Sequence, residues 1–150
     1  MTETPDYDVI IIGAGGAGLM CALSAGQLGK KVMVLDHAKK PGKKILISGG
    51  GRCNFTNLET EPDRFISDNP HFVKSPLAQY TQYDFIELVK RYRIEWHEKT
   101  LGQLFCNGSA DQIVSMLLQE CKIGNVKIKL DESITNIEKR EKAFFFPRIS

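Results

Sequence analysis

The sequence predicts an α/β fold built on a parallel sheet, and two stretches near the N-terminus are the main reason. The first is an apolar run that passes into glycines, Asp8-Val-Ile-Ile-Ile-Gly-Ala-Gly-Gly-Ala-Gly18. The second is Val32-Met-Val-Leu-Asp36, an apolar run that ends in an acid. A buried strand, a glycine turn, a helix and a second buried strand closed by an acid are the parts of a dinucleotide-binding β-α-β unit.

Each glycine of the first stretch has a predicted task. Gly13 permits the tight turn out of the strand, Gly15 lets a pyrophosphate approach the backbone, and Gly18 lets the helix lie close to the sheet. The N–H groups that open the helix then face the diphosphate with a partial positive charge. Asp36 is expected to accept hydrogen bonds from an adenosine ribose, and an acid there favours FAD or NAD over NADP.

Two other interpretations of this stretch are open at the level of sequence. A glycine-rich buried turn without a ligand would use the same residues. Residues 9–28 also carry no charge and are about as long as a membrane-spanning helix. Their glycines and β-branched opening argue against a span, and the acidic residues before Val9 argue against a secretory signal. We therefore expect a cytoplasmic chain without a membrane partner.

Length and composition are those of one ordinary globular domain. The 150 residues carry a formal net charge of +2 and show no basic stripe with interleaved aromatics, so no nucleic-acid partner is expected. The histidines are spaced irregularly and are expected on the surface or in loops. The cysteines show no CxxC pair and no metal-ligand spacing. We expect buried thiols at Cys21 and Cys121, a reducing compartment, and neither disulfides nor a zinc site.

Hydrophobic periodicity and turn residues predict the other elements. Strands are expected over residues 7–12, 31–35, 93–99, 126–130 and 133–138. Helices are expected over residues 15–28 and 84–93, and from Ser109 to a stop at Gly124-Asn125. Gly29 has the position of a left-handed C-cap for the first helix. Residues 38–57 are expected to be a loop, and residues 59–80 short helical pieces joined by turns.

A second motif occupies that predicted loop, Pro41-Gly-Lys-Lys-Ile-Leu-Ile-Ser-Gly-Gly-Gly-Arg-Cys-Asn-Phe-Thr-Asn57. Three successive glycines give a backbone that can lie against a flat or anionic ligand. Arg52 is suited to pair with a phosphate, and Asn54 to bond the edge of a polar ring. A mobile glycine loop without a ligand is the alternative.

With both motifs the chain resembles the YhiN/BaiN-like flavoproteins, a family related to aminoacetone oxidases. The resemblance rests on GAGGAG, on GKKILISGGGRCNFTN and on GQLFCNGSADQIVSMLLQEC, and it covers roughly residues 6–138. It implies a Rossmann-like FAD-binding fold of the two-dinucleotide-binding-domain flavoprotein type. It also implies FAD as cofactor and hydride transfer through the flavin, with NAD(P)H as a candidate reductant of full-length relatives.

The resemblance assigns cofactor contacts residue by residue. The pyrophosphate turn is matched by Gly13, Gly15, Gly16 and Gly18, and the ribose acid by Asp36, one methylene shorter than the glutamate common in relatives. A lysine near the cofactor is matched by Lys44. The loop beside the diphosphate and flavin is matched by Gly50, Gly51, Arg52, Cys53 and Asn54. Ile134, in the strand expected after the last helix, matches a position whose backbone lies against adenine. No catalytic acid or base is assigned.

Cys53 is expected to serve in packing or cofactor contact rather than in redox chemistry. A thiolate in this loop could take part in a redox step, but no second cysteine lies nearby in the sequence to resolve it.

The end of the sequence departs from the family, whose members continue for well over twice this length. We therefore expect residues 1–150 to be the N-terminal part of an FAD-binding domain, without the inserted substrate domain and the C-terminal segment that closes over the flavin. A naturally small domain whose last strand uses Phe144 and Phe146 is the alternative.

The expected function is that of an FAD-binding oxidoreductase, in a form too short to be active alone. The alternative is a non-catalytic truncated flavoprotein that binds cofactor weakly or not at all. The SGGGRCN segment argues against a compact NAD-binding dehydrogenase. No residue identifies the small-molecule substrate or the oligomeric state.

Overall fold

A computed structural model describes residues 6–140 and 143–145 of the chain. The strands in this part are β1 (Val9–Ile12), β2 (Val32–Leu35), β3 (Asn54–Asn57), β4 (Trp96–Glu98), β5 (Gln103–Cys106), β6 (Lys127–Lys129), β7 (Glu138–Arg140) and β8 (Ala143–Phe145). The α-helices are α1 (Gly16–Gln27), α2 (Lys43–Ile47), α3 (Lys74–Gln79), α4 (Gln82–Arg91) and α5 (Asp111–Ile123). The chain divides into a first unit, Met1–Lys44 with Leu117–Ser150, and a second unit, Ile45–Met116.

The first unit contains the predicted parallel sheet. Its strand order is β1-β2-β6, and both neighbours of β2 run parallel to it. The uninterrupted apolar run of β2 has the burial expected of a central strand, since Val32, Met33 and Val34 are all buried. The β-α-β unit predicted from residues 8–36 is therefore confirmed as β1, α1 and β2.

Helix α1 follows β1 directly and buries Leu19, Ala22, Leu23 and Gly26. Gly29, just past its end, has φ +79°, the left-handed conformation predicted there. Residues 9–28 are thus divided between a strand and a 12-residue helix, which excludes the single membrane-spanning helix. In the described part of the chain, no helix has the length and apolar character needed to cross a membrane.

The second unit contains an antiparallel sheet of order β3-β5-β4. Helix α4 lies against one face of it, where Phe55 of β3 contacts the rings of Phe85 and Trp96 at centroid distances of 6.1 and 6.4 Å. Thr81 caps α4 in a capping box with Asp84, so the helix begins at Gln82, earlier than predicted. The prediction of a loop over residues 38–57 is wrong in part, because α2 and β3 lie within it.

Two other predictions are corrected by the structure. The strand expected over residues 133–138 is wrong: residues 133–137 are irregular and the chain enters β7 only at Glu138, which pairs with β8. The β-branched residues of this stretch favour a strand, but no neighbouring strand among the described residues pairs with residues 133–137. Cys21 is exposed, whereas Cys121 is buried as expected. Phe144 lies in β8, and Phe146 lies outside the described residues.

Candidate functional site

The turn between β1 and α1, residues 13–18, leaves open space at the tip of the helix. Gly13 has φ +108°, which only glycine adopts readily, and its N–H donates to the Leu35 carbonyl at 2.7 Å. Gly15 is the N-cap, with no side-chain cap and no acidic residue in the first turn. A Cβ built on Gly15 would meet no atom within 4 Å. The amides of the first helical turn, which starts at Gly16, are therefore available to an anion.

Gly18 provides the close approach that the sequence predicts. A Cβ at this position would lie 1.9 Å from the Gly13 carbonyl oxygen and 3.4 Å from Cγ2 of Ile11. The first distance is far below any real Cβ contact. Gly18 therefore sets how closely α1 lies to β1, whereas Gly15 leaves room in front of the helix.

Asp36 is bound to the protein itself. Its Oδ2 accepts from the Ala14 N–H at 2.6 Å, and its Oδ1 accepts from the Ala38 N–H at 2.8 Å. These two bonds, first that of Ala38 and then that of Ala14, hold the pKa of Asp36 below its ordinary value of 3.8. Each carboxylate oxygen has a second lone pair. Asp36 thus ties the end of β2 to the glycine turn and keeps acceptor capacity for a ribose hydroxyl.

Lys44 and Ile134 each follow a segment whose backbone is hydrogen-bonded to Ala14 or to Asp36. The Gly42 N–H donates to the Ala14 carbonyl at 2.7 Å, which fixes the chain just before α2, where Lys44 is exposed. The Glu132 N–H donates to the Asp36 carbonyl at 3.0 Å, two residues before the half-buried Ile134. Ile134 was expected in a strand and lies instead in irregular chain. Its contact with adenine stays a prediction.

The second unit places the other predicted residues in one loop, residues 48–54. Gly49, Gly50 and Gly51 have φ values of +57°, +66° and +85°, so three successive residues adopt the left-handed conformation. A Cβ on Gly50 would meet nothing within 4 Å. The Gly51 carbonyl accepts from the Ala110 N–H at 2.8 Å, which anchors the loop on one side. The loop therefore has a defined shape and an open glycine surface.

Arg52 and Asn54 differ in how their side chains are placed by the protein. The Arg52 side chain is exposed, while its carbonyl accepts from the Cys106 N–H at 3.0 Å. The Asn54 side-chain nitrogen, with the amide oriented toward its acceptors, donates to the carbonyls of Thr56 at 3.0 Å and Leu104 at 3.2 Å. The amide oxygen of Asn54 is left to accept from a ligand.

Cys53 has a neighbour that the sequence does not reveal. The charge interaction between Cys53 and Cys106 contributes to raising the pKa of Cys106, after burial as the larger cause, to about 11. Burial raises the pKa of Cys53 as well, and both thiols are free and buried. High pKa and burial disfavour the thiolate, so this geometry fits packing better than redox chemistry. Within the described residues, no group of three or more His, Cys, Asp or Glu is placed to hold a metal ion.

Sequence reasoning missed a cavity beside the loop. Its volume is about 320 Å³, and it is lined by Gly49, Gly50, Arg52, His97, Lys99 and Phe105. The last three belong to or adjoin β4 and β5, which are more than 40 positions from the loop in sequence. His97 and Lys99 are two positions apart in the sequence, which indicates one face of a strand. Nothing in the sequence indicates that this face lies beside Gly49 and Gly50.

Comparison with known proteins identifies the family of this chain. The model of the family described as HI0933-like protein Rossmann domain matches residues 7–149. The ribosomal RNA dihydrouridine synthase of Escherichia coli strain K12 is 58% identical over 138 residues, which are 92% of this chain and 34% of that protein. The protein of the same name from Haemophilus influenzae strain Rd is 57% identical over 130 residues, 87% of this chain and 32% of that protein. The chain spans about a third of the length of both relatives.

A solved structure shows the same fold at low identity. The 3-ketosteroid-delta4-(5alpha)-dehydrogenase of Rhodococcus jostii RHA1 superposes with a TM-score of 0.62 and 13% identity, covering 91% of this chain and 40% of that one. The predicted fold class is confirmed as the Rossmann-like FAD-binding fold. The chain belongs to the HI0933-like family of Rossmann-type flavoproteins.

Proposed function

We propose that this chain is the FAD-binding part of a flavoenzyme that makes dihydrouridine in ribosomal RNA. The observation that carries the proposal is the uncapped, open helix tip at Gly15, in a chain 58% identical to a ribosomal RNA dihydrouridine synthase. Because the chain spans about a third of that relative, the proposed activity is that of a whole protein of the relative's length.

The proposed reaction needs a hydride carrier. Dihydrouridine is uridine with its ring C5–C6 double bond reduced, so a hydride and a proton must be added across that bond. FAD, when bound, supplies hydride chemistry at its flavin ring. We further propose NAD(P)H as the reductant. We also propose a cytoplasmic location, because the two relatives are named for ribosomal RNA and come from bacteria, where ribosomal RNA is found in the cytoplasm.

The chain's own residues would bind and orient this cofactor. The amides at the start of α1 would hold its diphosphate, because that helix tip is open and free of acidic side chains. Asp36 would accept from the adenosine ribose with its remaining lone pairs. By the resemblance, Gly50, Gly51, Arg52, Cys53 and Asn54 would lie beside the diphosphate and flavin of FAD, with Asn54 offering its amide oxygen.

This proposal departs from the expectation of no nucleic-acid partner, which rests on the net charge of +2. A small net charge excludes a broad basic surface, but it permits local clusters of cationic side chains. The names of the two relatives support an RNA substrate for the whole protein.

A chimera tests the proposal. The matching N-terminal segment of the E. coli relative is replaced by this chain, and the chimera is expressed in a strain that lacks that relative. We expect dihydrouridine to return to the ribosomal RNA, measured by mass spectrometry of its nucleosides, and the purified chimera to be yellow. A chimera carrying Gly15→Val should restore neither. A folded but colourless chimera would instead support the non-catalytic alternative.

A further inference from the structure

We propose that a patch of three lysines at the amino ends of the parallel strands binds the phosphate backbone of the RNA that flanks the reacting uridine. The lysine patch consists of Lys31, Lys122 and Lys127, arranged around the ring of Tyr7 and around a groove between α5 and β6. The inference deepens the proposed function and rests on it, since it names the surface of the first unit that would hold the RNA.

The ring of Tyr7 brings two of these lysines together. Tyr7 comes just before β1 and is half-buried, with Lys31 Nζ 5.6 Å and Lys127 Nζ 5.9 Å from the centre of its ring. Lys31 comes just before β2 and Lys127 opens β6, so the three residues lie at the starts of three neighbouring strands. A cation over an aromatic ring at an exposed site gains only about 0.5–1 kcal/mol. That is enough to orient a lysine side chain, and it leaves the charge available to a ligand.

Lys122 joins the patch through the groove that it shares with Lys127. The groove has a volume of about 490 Å³, and its lining includes Leu118 and Lys122 of α5, Asn125 of the connecting turn, and Lys127 and Ile128 of β6. Among the described residues, β6 is the edge strand of its sheet, so no further strand of this part of the chain covers that side. The groove therefore offers room for a nucleotide between two cationic side chains.

The lysines of the patch are not neutralised by the protein. All three are exposed, and none of them forms an ion pair within residues 6–140 and 143–145. Asp6 and Asp8 lie next to Tyr7 in the sequence, but Oδ2 of Asp8 accepts from the backbone N–H of Lys31 at 2.7 Å, and neither carboxylate pairs with a lysine side chain in the described part of the chain. Like charges gathered at one surface repel each other, and a phosphodiester backbone placed there would relieve that repulsion.

The lysine patch lies outside the cofactor site. Gly13 and Asp36 follow the carboxyl ends of β1 and β2, whereas Tyr7 and Lys31 precede the amino ends of the same strands. At about 3.3 Å per residue, the extended chain from Tyr7 to Gly13 spans about 20 Å. Because the proposed function assigns the diphosphate of FAD to the start of α1, RNA on the patch would not compete with the cofactor. An RNA substrate is much longer than one nucleotide, so its backbone can contact a surface at this distance from the reacting base.

Two other roles of lysine do not account for this arrangement. Lys127, on an edge strand, discourages pairing with another sheet. Lys122, in the last turn of α5, is favourable at the carboxyl end of a helix. Each of these roles needs a single isolated cation. Neither explains why two ammonium groups from different strands lie over one ring.

The experiment measures RNA and FAD binding on the full 150-residue chain. Fluorescence anisotropy gives the affinity for a labelled single-stranded RNA of about 12 nucleotides, across a series of salt concentrations and with or without saturating FAD. A polyglutamate peptide, labelled in the same way, tests an acidic protein as the partner. Flavin fluorescence gives the FAD affinity of each variant.

The variants separate the charge of the patch from its arrangement. Lys31→Gln and Lys127→Gln each remove one cation, and Lys74→Gln, which removes an exposed lysine of α3, is their matched control. Tyr7→Leu removes the ring but no charge, and Tyr7→Phe is its control because it keeps the ring. The unfolding temperatures of both Tyr7 variants are measured, so that a loss of fold is recognised as such.

We expect Lys31→Gln and Lys127→Gln each to weaken RNA binding several-fold and to reduce the slope of log K against log salt by about 0.7, the value for one phosphate contact on a single strand. A folded Tyr7→Leu variant should bind RNA more weakly at unchanged net charge, whereas Tyr7→Phe should bind like the wild type. Lys74→Gln should change RNA binding far less than Lys127→Gln. Every variant should keep the FAD affinity of the wild type, and saturating FAD should not displace the RNA.

Four results would overturn the inference. These are a wild type that does not bind RNA, equal losses of RNA affinity in Lys74→Gln and Lys127→Gln, displacement of the RNA by FAD, and a polyglutamate peptide that binds as tightly as the RNA. FAD binding by the wild type is measured separately. If it persists in these four cases, only the inference fails, and if the wild type does not bind FAD, the proposed function fails.

Discussion

The carboxylate of Asp36 holds the backbone of Ala14, with Oδ2 accepting from the Ala14 N–H at 2.6 Å. The two residues are 22 positions apart in sequence, one at the end of β2 and the other in the glycine turn. An acid expected to bind a ribose therefore also fixes the turn that would hold the diphosphate. Changes at Asp36 should affect both the stability of the first unit and the binding of cofactor.

The first prediction concerns acid stability. The hydrogen bonds from Ala38 and Ala14 lower the pKa of Asp36 below 3.8, so the folded state favours the charged carboxylate. This stabilisation is present above the ordinary pKa and is lost as the pH falls below 3.8 through the lowered pKa of the folded state. At neutral pH, Asp36→Asn should cost about 1–2 kcal/mol, because the amide keeps only one acceptor oxygen.

Urea unfolding at neutral and acidic pH measures this effect. The loss of stability on acidification should be smaller in Asp36→Asn than in the wild type. Asp68→Asn, at an exposed position, serves as the control and should behave like the wild type. Equal losses in Asp36→Asn and the wild type would show that Asp36 is not bound as described.

The second prediction separates two glycines of the same turn. Gly18→Ala should destabilise the fold by about 1–3 kcal/mol or more, because its Cβ must displace the Gly13 carbonyl. Gly15→Ala should leave stability almost unchanged, since Gly15 has φ −85° and open space around it. Thermal unfolding of the two variants checks the contrast. Similar melting temperatures for both would contradict the described contact between Gly18 and Gly13.

The third prediction concerns thiol reactivity. Cys21 is exposed, whereas Cys53, Cys106 and Cys121 are buried. Burial raises the pKa of Cys106 and of Cys121 to about 11, with a smaller contribution from Cys53 and Glu120 respectively. At a pH of about 8, below the usual thiol pKa, a thiol reagent should therefore modify Cys21 of the native chain quickly and the buried cysteines only on unfolding.

Peptide mass mapping after a short iodoacetamide treatment identifies the modified residue. A Cys21→Ser variant should show almost no fast labelling. Rapid labelling of Cys53 in that variant would reopen a redox role for the pair formed with Cys106.

The β-α-β part of the first unit, β1 to β2, could be predicted from the sequence because its elements are neighbours along the chain. Uninterrupted apolar runs at 8–12 and 32–35, with glycines between them, are enough to specify two parallel strands and the connecting helix. The second unit depends on long-range pairing. In β3, Phe55 is the only large apolar residue, and the strand is recognisable only once Asn54 pairs with Phe105.

In the candidate site, too, local features could be predicted from the sequence and long-range contacts could not. The open position at Gly15 and the close contact at Gly18 follow from motif spacing alone. The bond from Ala14 to Asp36, the neighbour of Cys53 and the stacking of His97 on Phe105 each join residues distant in sequence or depend on strand register. None of these relationships leaves a periodic signal along the chain.

The most direct test of the central claim is an FAD titration of Gly15→Val against the wild type, followed by flavin fluorescence. Ser24→Val, at an exposed position farther along the same helix, controls for the added β-branched side chain. If the amides that open α1 hold the cofactor's diphosphate, Gly15→Val should lose FAD binding while it keeps the unfolding temperature of Ser24→Val. Full FAD affinity in a folded Gly15→Val variant would contradict the account.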